Sequence, residues 1–427
     1  MSFVKKASNK LVNFIKHAPN KLVNFIKHAP ENFIRFERQV LSITRMNLQS
    51  VIERSGASIV IIVGIAGSVA VMVSLLAMGE GLSSTISNTG QEDRVIILRD
   101  GSNSELSSGL GMQEVDIILN SPGVREENGD PLVAGEIYAI IDLKKKGAES
   151  TSNLPFRGVQ QTSFSIRPEL EIVDGRNFNT GTAEVIIGKG AYDQYEGVEI
   201  GDQIKVRDGF VTVVGIFSTG GDVHESEIWG DLPITQNIFR REGSVSSAIV
   251  RLQSKDTFDD LGIYIENYPS LELKVLTELE FFDSQASGSE LIKIFGQVVG
   301  YIMAVGAIFA ALNTMYSAVS TRLVEIGTLR ALGFKGSTVL VSLMIEAMIL
   351  ATIGGLLGAG IAYVLFNGYT VSTLAGGSFT QTAFAFAVTG DVVQQGMSLA
   401  LTVGLIGGVF PAFNAARRDI TEALRSI

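Results

Sequence analysis

The stretch "TRLVEIGTLRALGF", Thr321–Phe334, lies between two long apolar runs of the sequence. The run before it, Ile294–Thr321, has 28 residues without a charge, and the run after Glu346 carries no charge until Asp391. A membrane-spanning helix needs about 20 apolar residues. Both runs are therefore long enough to cross a bilayer, and the charged stretch between them is predicted to connect two spans.

The whole composition is typical of a membrane protein, since 46% of the 427 residues are apolar and only 18% are charged. A further uncharged run covers Ser55–Gly79. Polar residues at 367–382, "NGYTVSTLAGGSFTQT", divide the run after Glu346 into two. We therefore predict four transmembrane helices, at residues 57–80, 291–320, 338–366 and 391–416. Residues 367–390 are predicted to form an external loop.

The charges are distributed unevenly along the chain. Residues 1–56 contain ten Lys or Arg and three Glu, whereas residues 81–290 contain 35 acidic and 17 basic residues. Short basic segments beside spans stay in the cytoplasm. We therefore expect a multi-pass protein of the inner or plasma membrane, with residues 81–290 outside and with both the N-terminus and the tail, residues 417–427, in the cytoplasm.

The N-terminal arm contains a direct repeat, "NKLVNFIKHAP" at Asn9–Pro19 and again at Asn20–Pro30. Its period of 11 residues is close to three helical turns, so apolar residues recur on nearly the same face with lysines around them. This pattern predicts a cytoplasmic amphipathic arm on an anionic inner leaflet. A recent duplication in a tolerant tail is the alternative.

The external region has the pattern of a mixed domain. Short β-branched runs such as "RVIIL", "EVIIG" and "FVTVVGIF" are bounded by Gly, Asp and Asn, as strands are, while "KDTFDDLGIYIENYP" has helical spacing. "SELIKIFGQVV" leads directly into the second span, which indicates one long helix. The predicted fold class is a membrane α-helical protein of four transmembrane helices, with a large α+β extracytoplasmic domain inserted between the first and the second.

Enzyme chemistry is not indicated by any motif. The Walker A pattern is missing, since Ala183 stands where its first glycine would precede Gly188 and Lys189, and the chain has no cysteine. We therefore predict no catalytic, cofactor or metal site and no nucleic-acid partner. Two acidic features leave alternatives open. One is an acidic group that could bind a hard cation but is preferably read as a solvated loop, at Asp222, Glu225, Glu227 and Asp231. The other is Glu346, which could relay protons but preferably has a structural role.

Pairs of glycines four residues apart lie inside the predicted spans. Small residues at this spacing let transmembrane helices pack closely. The predicted packing positions are Gly296 and Gly300, Gly354 and Gly358, and Gly404 and Gly408.

On a helical wheel the segment Thr321–Phe334 has two different sides. One side contains Leu323, Val324, Gly327 and Ala331. The other contains Arg322, Glu325, Ile326, Leu329 and Leu332. The first side is expected to face the membrane, and the second, which mixes apolar and charged residues, to face a protein. An ordinary loop helix is the alternative.

Here the sequence resembles the permeases of MacB/FtsX-type ABC transporters. The matching stretches are "LNTMYSAVSTRLVEIGTLRALGF", "IEAMILATIGGLLG" and "GGVFPAFNAARRDITEALRS", together with external motifs such as "EIVDGRNFN" and "WGDLPIT". In that family the motif at Arg322–Gly333 is the coupling helix that docks on the ATPase. The resemblance thus implies that residues 321–334 couple to an ATPase through Arg322, Glu325, Ile326, Gly327, Leu329, Arg330 and Leu332.

The resemblance also implies partners and a mechanism. The family's macrolide exporter carries its ATPase on the same chain, and no such domain is found in this sequence, so a separate ABC ATPase subunit that binds ATP and Mg is expected. A second permease copy or paralogue would complete a dimer, with a periplasmic adaptor as a further partner. ATP-driven motion passed to the external domain, called mechanotransmission, would then extrude a hydrophobic, peptide or lipid-like substrate. The alternatives are a lipoprotein-releasing complex and an FtsX-like scaffold that activates a cell-wall hydrolase.

Overall fold

The structure is a computed structural model that describes residues 36–44, 46, 55–207, 209–268, 271–285, 287–374 and 381–419. The repeated arm and residues 420–427 of the predicted tail lie outside the described residues. Residues 36–44 are helical. The longer and labelled helices are α1 (Ser55–Ser87), α2 (Met112–Ile118), α3 (Thr162–Ile166), α4 (Lys189–Gln194), α5 (Leu232–Phe239), α6 (Phe258–Glu266), α7 (Glu278–Gln285), α8 (Ser287–Ser320), α9 (Leu323–Ala331), α10 (Gly336–Phe366) and α11 (Gly390–Arg417).

The chain divides into two compact units. The first, which we call the helical unit, comprises the described residues within Met1–Val73, Val298–Ile361 and Val393–Ile427. The second, the sheet unit, comprises Ser74–Gln297 and Ala362–Val392. The sheet unit is therefore larger than the predicted external domain at 81–290, because the ends of several long helices and the segment between α10 and α11 belong to it.

Among the described residues, four helices are long and apolar enough to cross a membrane: Ser58–Ser87, Glu278–Ser320, Gly336–Phe366 and Gly390–Arg417. A large α/β region lies between the first and the second, so the predicted fold class is confirmed. Helix α1 continues past the predicted end at residue 80, because Leu82 and Ile86 are buried in the core of the sheet unit. Helix α8 is continuous from Ser287, as the sequence indicated for this segment.

The predicted packing glycines all approach a neighbouring helix. A Cβ atom added at Gly358 would lie 2.5 Å from the carbonyl oxygen of Ala66 on α1, and one at Gly404 would lie 2.4 Å from the Cβ of Ala351 on α10. Real Cβ atoms do not tolerate such distances, so only glycine fits these helix crossings. The same close approach occurs for Gly300 and Gly354 toward α1, for Gly408 toward α10 and, within the sheet unit, for Gly296 toward α1.

Helix α10 offers a direct test of this packing. We expect Gly358→Leu to destabilise the bundle by about 1–3 kcal/mol, because overpacking forces the helices apart. Gly360→Leu is the matched control, since a Cβ at Gly360 would meet nothing within 4 Å. Thermal unfolding of the purified chain in detergent measures both. Equal midpoints for the two variants would show that the close contact at Gly358 does not stabilise the bundle.

The sheet unit is built on a ten-stranded sheet of the described residues. The strands of the described residues are β1 (Arg94–Arg99), β2 (Leu110–Gly111), β3 (Glu126–Glu127), β4 (Asp130–Pro131), β5 (Val133–Lys144), β6 (Thr151–Val159), β7 (Glu171–Gly175), β8 (Glu184–Gly188), β9 (Gln203–Val206), β10 (Gly209–Ser218), β11 (Ile228–Asp231), β12 (Ser244–Val245), β13 (Ser247–Arg251), β14 (Leu273–Thr277), β15 (Thr370–Leu374) and β16 (Gln381–Ala385). The order of strands in the large sheet is β14-β1-β13-β5-β6-β11-β8-β10-β7, with β9 pairing with β10. Most neighbours are antiparallel, but β6–β11 and β8–β10 are parallel.

Strand β1 shows why the apolar runs of this region form central strands. Val95 and Ile97 pack in one hydrophobic core, while Ile96 and Leu98 pack in another. Successive side chains of a strand point to opposite faces of the sheet. Because both faces are covered, every position of "VIIL" is buried and the run is continuously apolar.

The segment 367–390, predicted as an external loop, contains the hairpin β15–β16 and belongs to the sheet unit. The backbone N–H of Ala383 donates to the hydroxyl oxygen of Ser226 at 2.8 Å. Phe384 is buried in the same core as Leu82 and Ile86. The connection between α10 and α11 is thus packed structure within this unit and not a free loop.

Candidate functional site

Helix α9 and the turn that ends it form the segment that the sequence motif marked as the coupling helix. The N–H of Phe334 donates to the carbonyl of Leu329, and the N–H of Gly333 donates to that of Arg330. This is a Schellman ending, and it requires a left-handed residue at its centre. Gly333 adopts φ of 99°, so the "LGF" of the motif is the stop signal of the helix.

One side of α9 is held inside the helical unit. The guanidinium of Arg322 pairs with the carboxylate of Glu346 on α10 at 3.3 Å, and both side chains are almost fully buried. Ile326 is 6% exposed and packs in a hydrophobic cluster with Val319 and Leu343. Arg322 and Ile326 were predicted to face a partner; the structure instead buries them, because the ion pair and this cluster fix α9 to α10. Glu346 accordingly has the preferred structural role.

The other side of α9 is exposed among the described residues. Leu332 is 73% exposed and Val324 is 39% exposed, with Glu325 and Thr328 exposed between them. The helical wheel predicts Val324 on the side that faces the membrane. Because both sides of this helix carry apolar residues, periodicity alone cannot decide which side is buried. Gly327, which the resemblance places in the coupling set, is buried.

Leu329 and Arg330 lie between the two sides. Leu329 is half-buried and lines a shallow groove with Glu325, Ile43 and Met46, so the helical segment around 36–46 borders the coupling segment. Arg330 donates to the backbone carbonyl of Arg418, just after α11. The predicted set therefore divides into anchors of the helix and an exposed face containing Glu325 and Leu332.

A buried cluster of charges lies in the sheet unit, and no sequence motif announced it. The guanidinium of Arg157 on β6 donates all five of its N–H groups to carboxylates, at 2.7–3.0 Å, to Glu105, Glu136 and Glu227. Arg167 adds two further hydrogen bonds to Glu136, at 2.6 and 3.2 Å. All five side chains are buried, so each charge depends on its partners within the cluster.

The contacts of this cluster set its ionisation. Burial raises the pKa of Glu136, but the nearby Arg167 and Arg157 guanidinium groups lower it by more, to about 2. Burial also raises the pKa of Glu105, and again the ion pair with Arg157 outweighs it, so the pKa lies below its ordinary value. Both carboxyl groups are therefore ionised at neutral pH.

The acidic residues at 222–231 do not form the solvated loop that was preferred for them. Asp222 and Glu227 are buried, with Asp222 accepting from the ring Nδ1 of His224 at 3.1 Å and Glu227 bonded to Arg157. Asp231 accepts from the N–H of Gly181. Within the described ranges, no group of three His, Cys, Asp or Glu residues has the arrangement of a metal site. The loop expectation was wrong because these residues face inward partners.

The described residues contain four helices long and apolar enough to cross a membrane, a large α/β region between the first and the second, and a short charged helix between the second and the third. This is the architecture of a polytopic membrane protein. Residues 58–268 match the MacB-like periplasmic core domain, and residues 298–420 match the FtsX-like permease C-terminal domain. The chain therefore belongs to the ABC transporter permeases of MacB/FtsX type, as the sequence motifs indicated.

The chain is also similar to individual proteins. The chain is 23% identical to the uncharacterized ABC transporter permease YknZ of Bacillus subtilis (strain 168), a match that covers 89% of this chain and 98% of that relative. It is 23% identical to the macrolide export ATP-binding/permease protein MacB of Pasteurella multocida (strain Pm70), covering 84% of this chain and 56% of MacB. The crystal structure of the extracellular domain of YknZ is similar to 43% of this chain, with 17% identity, 99% of that domain covered and a TM-score of 0.33.

Proposed function

We propose that this chain is the permease subunit of an ABC transporter and couples ATP hydrolysis by a separate ATPase subunit to its sheet unit. The observation that carries the proposal is the arrangement at α9. The helix is short, lies between two spanning helices, is anchored on one side by Arg322 and Ile326, and exposes Glu325 and Leu332 on the other. An anchored helix with an exposed mixed face can pass a push from a partner to α10.

The exposed face of α9 combines apolar and polar side chains. Val324 and Leu332 supply apolar area, and Glu325 and Thr328 supply hydrogen-bonding or charged groups. Protein interfaces combine apolar area with hydrogen bonds in this way. The ATPase subunit would carry the ATP and Mg, since the chain shows no P-loop motif, and the full-length relative YknZ is itself named a permease.

The spanning helices provide the route for the motion. Helices α1 and α8 each contribute residues to both units, and the β15–β16 hairpin between α10 and α11 belongs to the sheet unit. Motion of α9 would thus reach the sheet unit through all four spans. With the N- and C-termini in the cytoplasm and the sheet unit outside, the complex would extrude a hydrophobic, peptide or lipid-like substrate from the outer leaflet or periplasm, with a periplasmic adaptor as a further partner.

Helix α8 supports a dimer of permeases. Large apolar side chains are exposed at Leu291, Phe295, Val298, Ile302, Val305 and Phe309. Their spacing alternates between four and three residues, which is the a/d pattern of a helix that packs along its length against another helix. Only 28% of the apolar stretch of this span is buried, whereas 44–50% is buried in each of the other three spans. A second copy, or a paralogue, would cover this stripe.

Cross-linking tests the dimer, because the chain has no cysteine of its own. We expect a single cysteine at Ile302 to form a disulfide-linked dimer in membranes, since equivalent positions on a two-fold helix pair come close together. Ala304→Cys is the matched control, because Ala304 is 5% exposed and faces the inside of the bundle. Equal yields of cross-linked dimer from the two variants would argue against α8 as the interface.

The transport function is tested by reconstitution. The chain should be expressed with ATPase subunits encoded beside it, and the complex purified through a tag on this chain. We expect one ATPase to co-purify and hydrolyse ATP, whereas this chain alone should show hydrolysis at background level. Azide-insensitive hydrolysis by the chain alone, or failure of every neighbouring ATPase to bind, would contradict the proposed function.

A further inference from the structure

A cavity of about 330 Å³ lies within the sheet unit, directly against the buried charge cluster. Known pockets for small molecules begin near this size, at about 300 Å³. Its walls come from parts of the sequence that are far apart. They include Ile86 near the end of α1, Phe281 and Phe282 on α7, and Gln381 and Thr382 on the β15–β16 hairpin.

The floor of the cavity is charged. Arg157, Glu105 and Glu227 all line it. Because the five N–H groups of Arg157 are already donated to carboxylates, the guanidinium has no donor left for an anionic ligand.

The carboxylates, in contrast, retain some acceptor capacity. Glu105 accepts two bonds from Arg157 and one from Ser247, and Glu227 accepts two from Arg157 and one from Trp229. An ionised carboxylate has about four acceptor positions, so each of the two keeps about one.

The formal charge of the cluster also favours a ligand that donates hydrogen bonds. The cluster contains the three carboxylates Glu105, Glu136 and Glu227 and the two guanidiniums Arg157 and Arg167, so negative charge is in excess. In a partly apolar cavity such an excess favours a cation that also donates hydrogen bonds. The walls, with Phe281, Phe282 and Ile86, favour an apolar or aromatic body.

We propose that this cavity binds a small amphipathic amine, with its apolar body against Phe281 and Phe282 and its ammonium group donating to Glu105 or Glu227. The site lies outside the coupling segment and does not depend on the proposed transport function. Because α1, α7 and the hairpin all contribute to its walls, a bound amine contacts segments that lead toward three of the spanning helices.

Binding can be measured on the full chain in phosphatidylcholine nanodiscs with two fluorescent probes that differ only in charge. Dansylcadaverine carries an ammonium on a flexible chain, and dansyl-6-aminohexanoate carries a carboxylate on a similar chain. We expect saturable, blue-shifted fluorescence for the amine and at least tenfold weaker binding for the acid. Equal affinity for the two probes would overturn the proposal.

Substitutions at Gln285 distinguish probe that is bound in the cavity from probe that is dissolved in the bilayer. Gln285 lines the cavity, is half-buried and donates to the carbonyl of Asn103, so it tolerates replacement without disturbing the charge cluster. We expect Gln285→Lys to weaken amine binding about tenfold and Gln285→Glu to strengthen it similarly, as for unit charges a few ångström apart near a protein surface. Gln203→Lys makes the same charge change at an exposed position outside the cavity and should bind like the wild type.

A space-filling variant provides an independent test. Leu106 lines the cavity and is 39% exposed, so Leu106→Trp should fold and reduce binding of the amine by filling the cavity. If Leu106→Trp and both Gln285 variants all bind dansylcadaverine as the wild type does, the fluorescence reports partition into the bilayer and the site is disproved.

Discussion

Replacing Arg157 by Met is expected to destabilise the sheet unit by about 3–5 kcal/mol, the usual effect of removing one partner from a buried ion pair. Three carboxylates, Glu105, Glu136 and Glu227, lose a guanidinium that donates five hydrogen bonds to them. Only Arg167, bonded to Glu136, is left in the cluster to offset their charge. For a region of this size the midpoint of thermal unfolding should fall by about 6–20 °C.

The single tryptophan of the chain reports this unfolding. Trp229 is fully buried and donates from its indole nitrogen to Glu227 at 2.7 Å, so its fluorescence senses the cluster directly. Arg176→Met is the matched control. Arg176 also makes a bidentate pair, with Glu184, but its side chain is 52% exposed and solvent screens the interaction. A midpoint for Arg157→Met equal to that of Arg176→Met would show that the cluster does not hold the sheet unit together.

Rescue by a second substitution would identify the cause. If uncompensated carboxylates destabilise Arg157→Met, then adding Glu227→Gln should recover part of the lost stability. The double variant lacks both the guanidinium of Arg157 and the carboxylate charge of Glu227, so one fewer buried charge is left without a partner. Arg157→Lys should not rescue fully. A lysine has three donors on a single nitrogen and cannot reproduce the planar, five-donor contact with three carboxylates.

The sequence predicted the spans well because the signal is local. Uncharged runs and basic flanks identify transmembrane helices segment by segment, and glycines at a spacing of four identified positions that the structure places at helix crossings. The ends of these helices depend on more than local hydropathy. Helix α1 extends to Ser87 because its last turns enter a core made by distant residues, which local hydropathy cannot reveal.

The charge cluster could not be predicted, because its members come from separate parts of the chain. Glu136 lies on β5 and Arg157 on β6, and Glu227 directly precedes β11. In the sequence each looks like a solvent-facing charge. Their meeting depends on a strand order in which β6 pairs with both β5 and β11, and nothing local specifies that order. The sequence alone also left open which side of α9 faces inward, since Arg322 is buried opposite Glu346, which lies on another helix.

The exposed face of α9 carries the second large expected effect. Leu332→Asp places a charge where the ATPase is proposed to bury an apolar side chain. Charging an apolar side chain that anchors an interface typically costs at least about 2 kcal/mol, so the affinity for the ATPase subunit should fall about 30-fold or more. The permease itself should fold normally, because Leu332 is 73% exposed and the anchors Arg322 and Ile326 are unchanged. Co-purification and surface-based binding assays with the reconstituted ATPase measure the loss.

Two further variants decide what the loss means. Phe210→Asp makes the same kind of change at another exposed apolar side chain, 58% exposed in the sheet unit, and should leave ATPase binding intact. Glu325→Arg reverses the charge on the exposed face of α9 and should slow association, with a dependence on salt. ATP hydrolysis by the complex should fall together with binding in Leu332→Asp and Glu325→Arg. If Leu332→Asp holds the ATPase at wild-type affinity while the dimer is intact, α9 is only a connector between spans, because a docking helix could not accept a charge in place of an exposed apolar contact without loss.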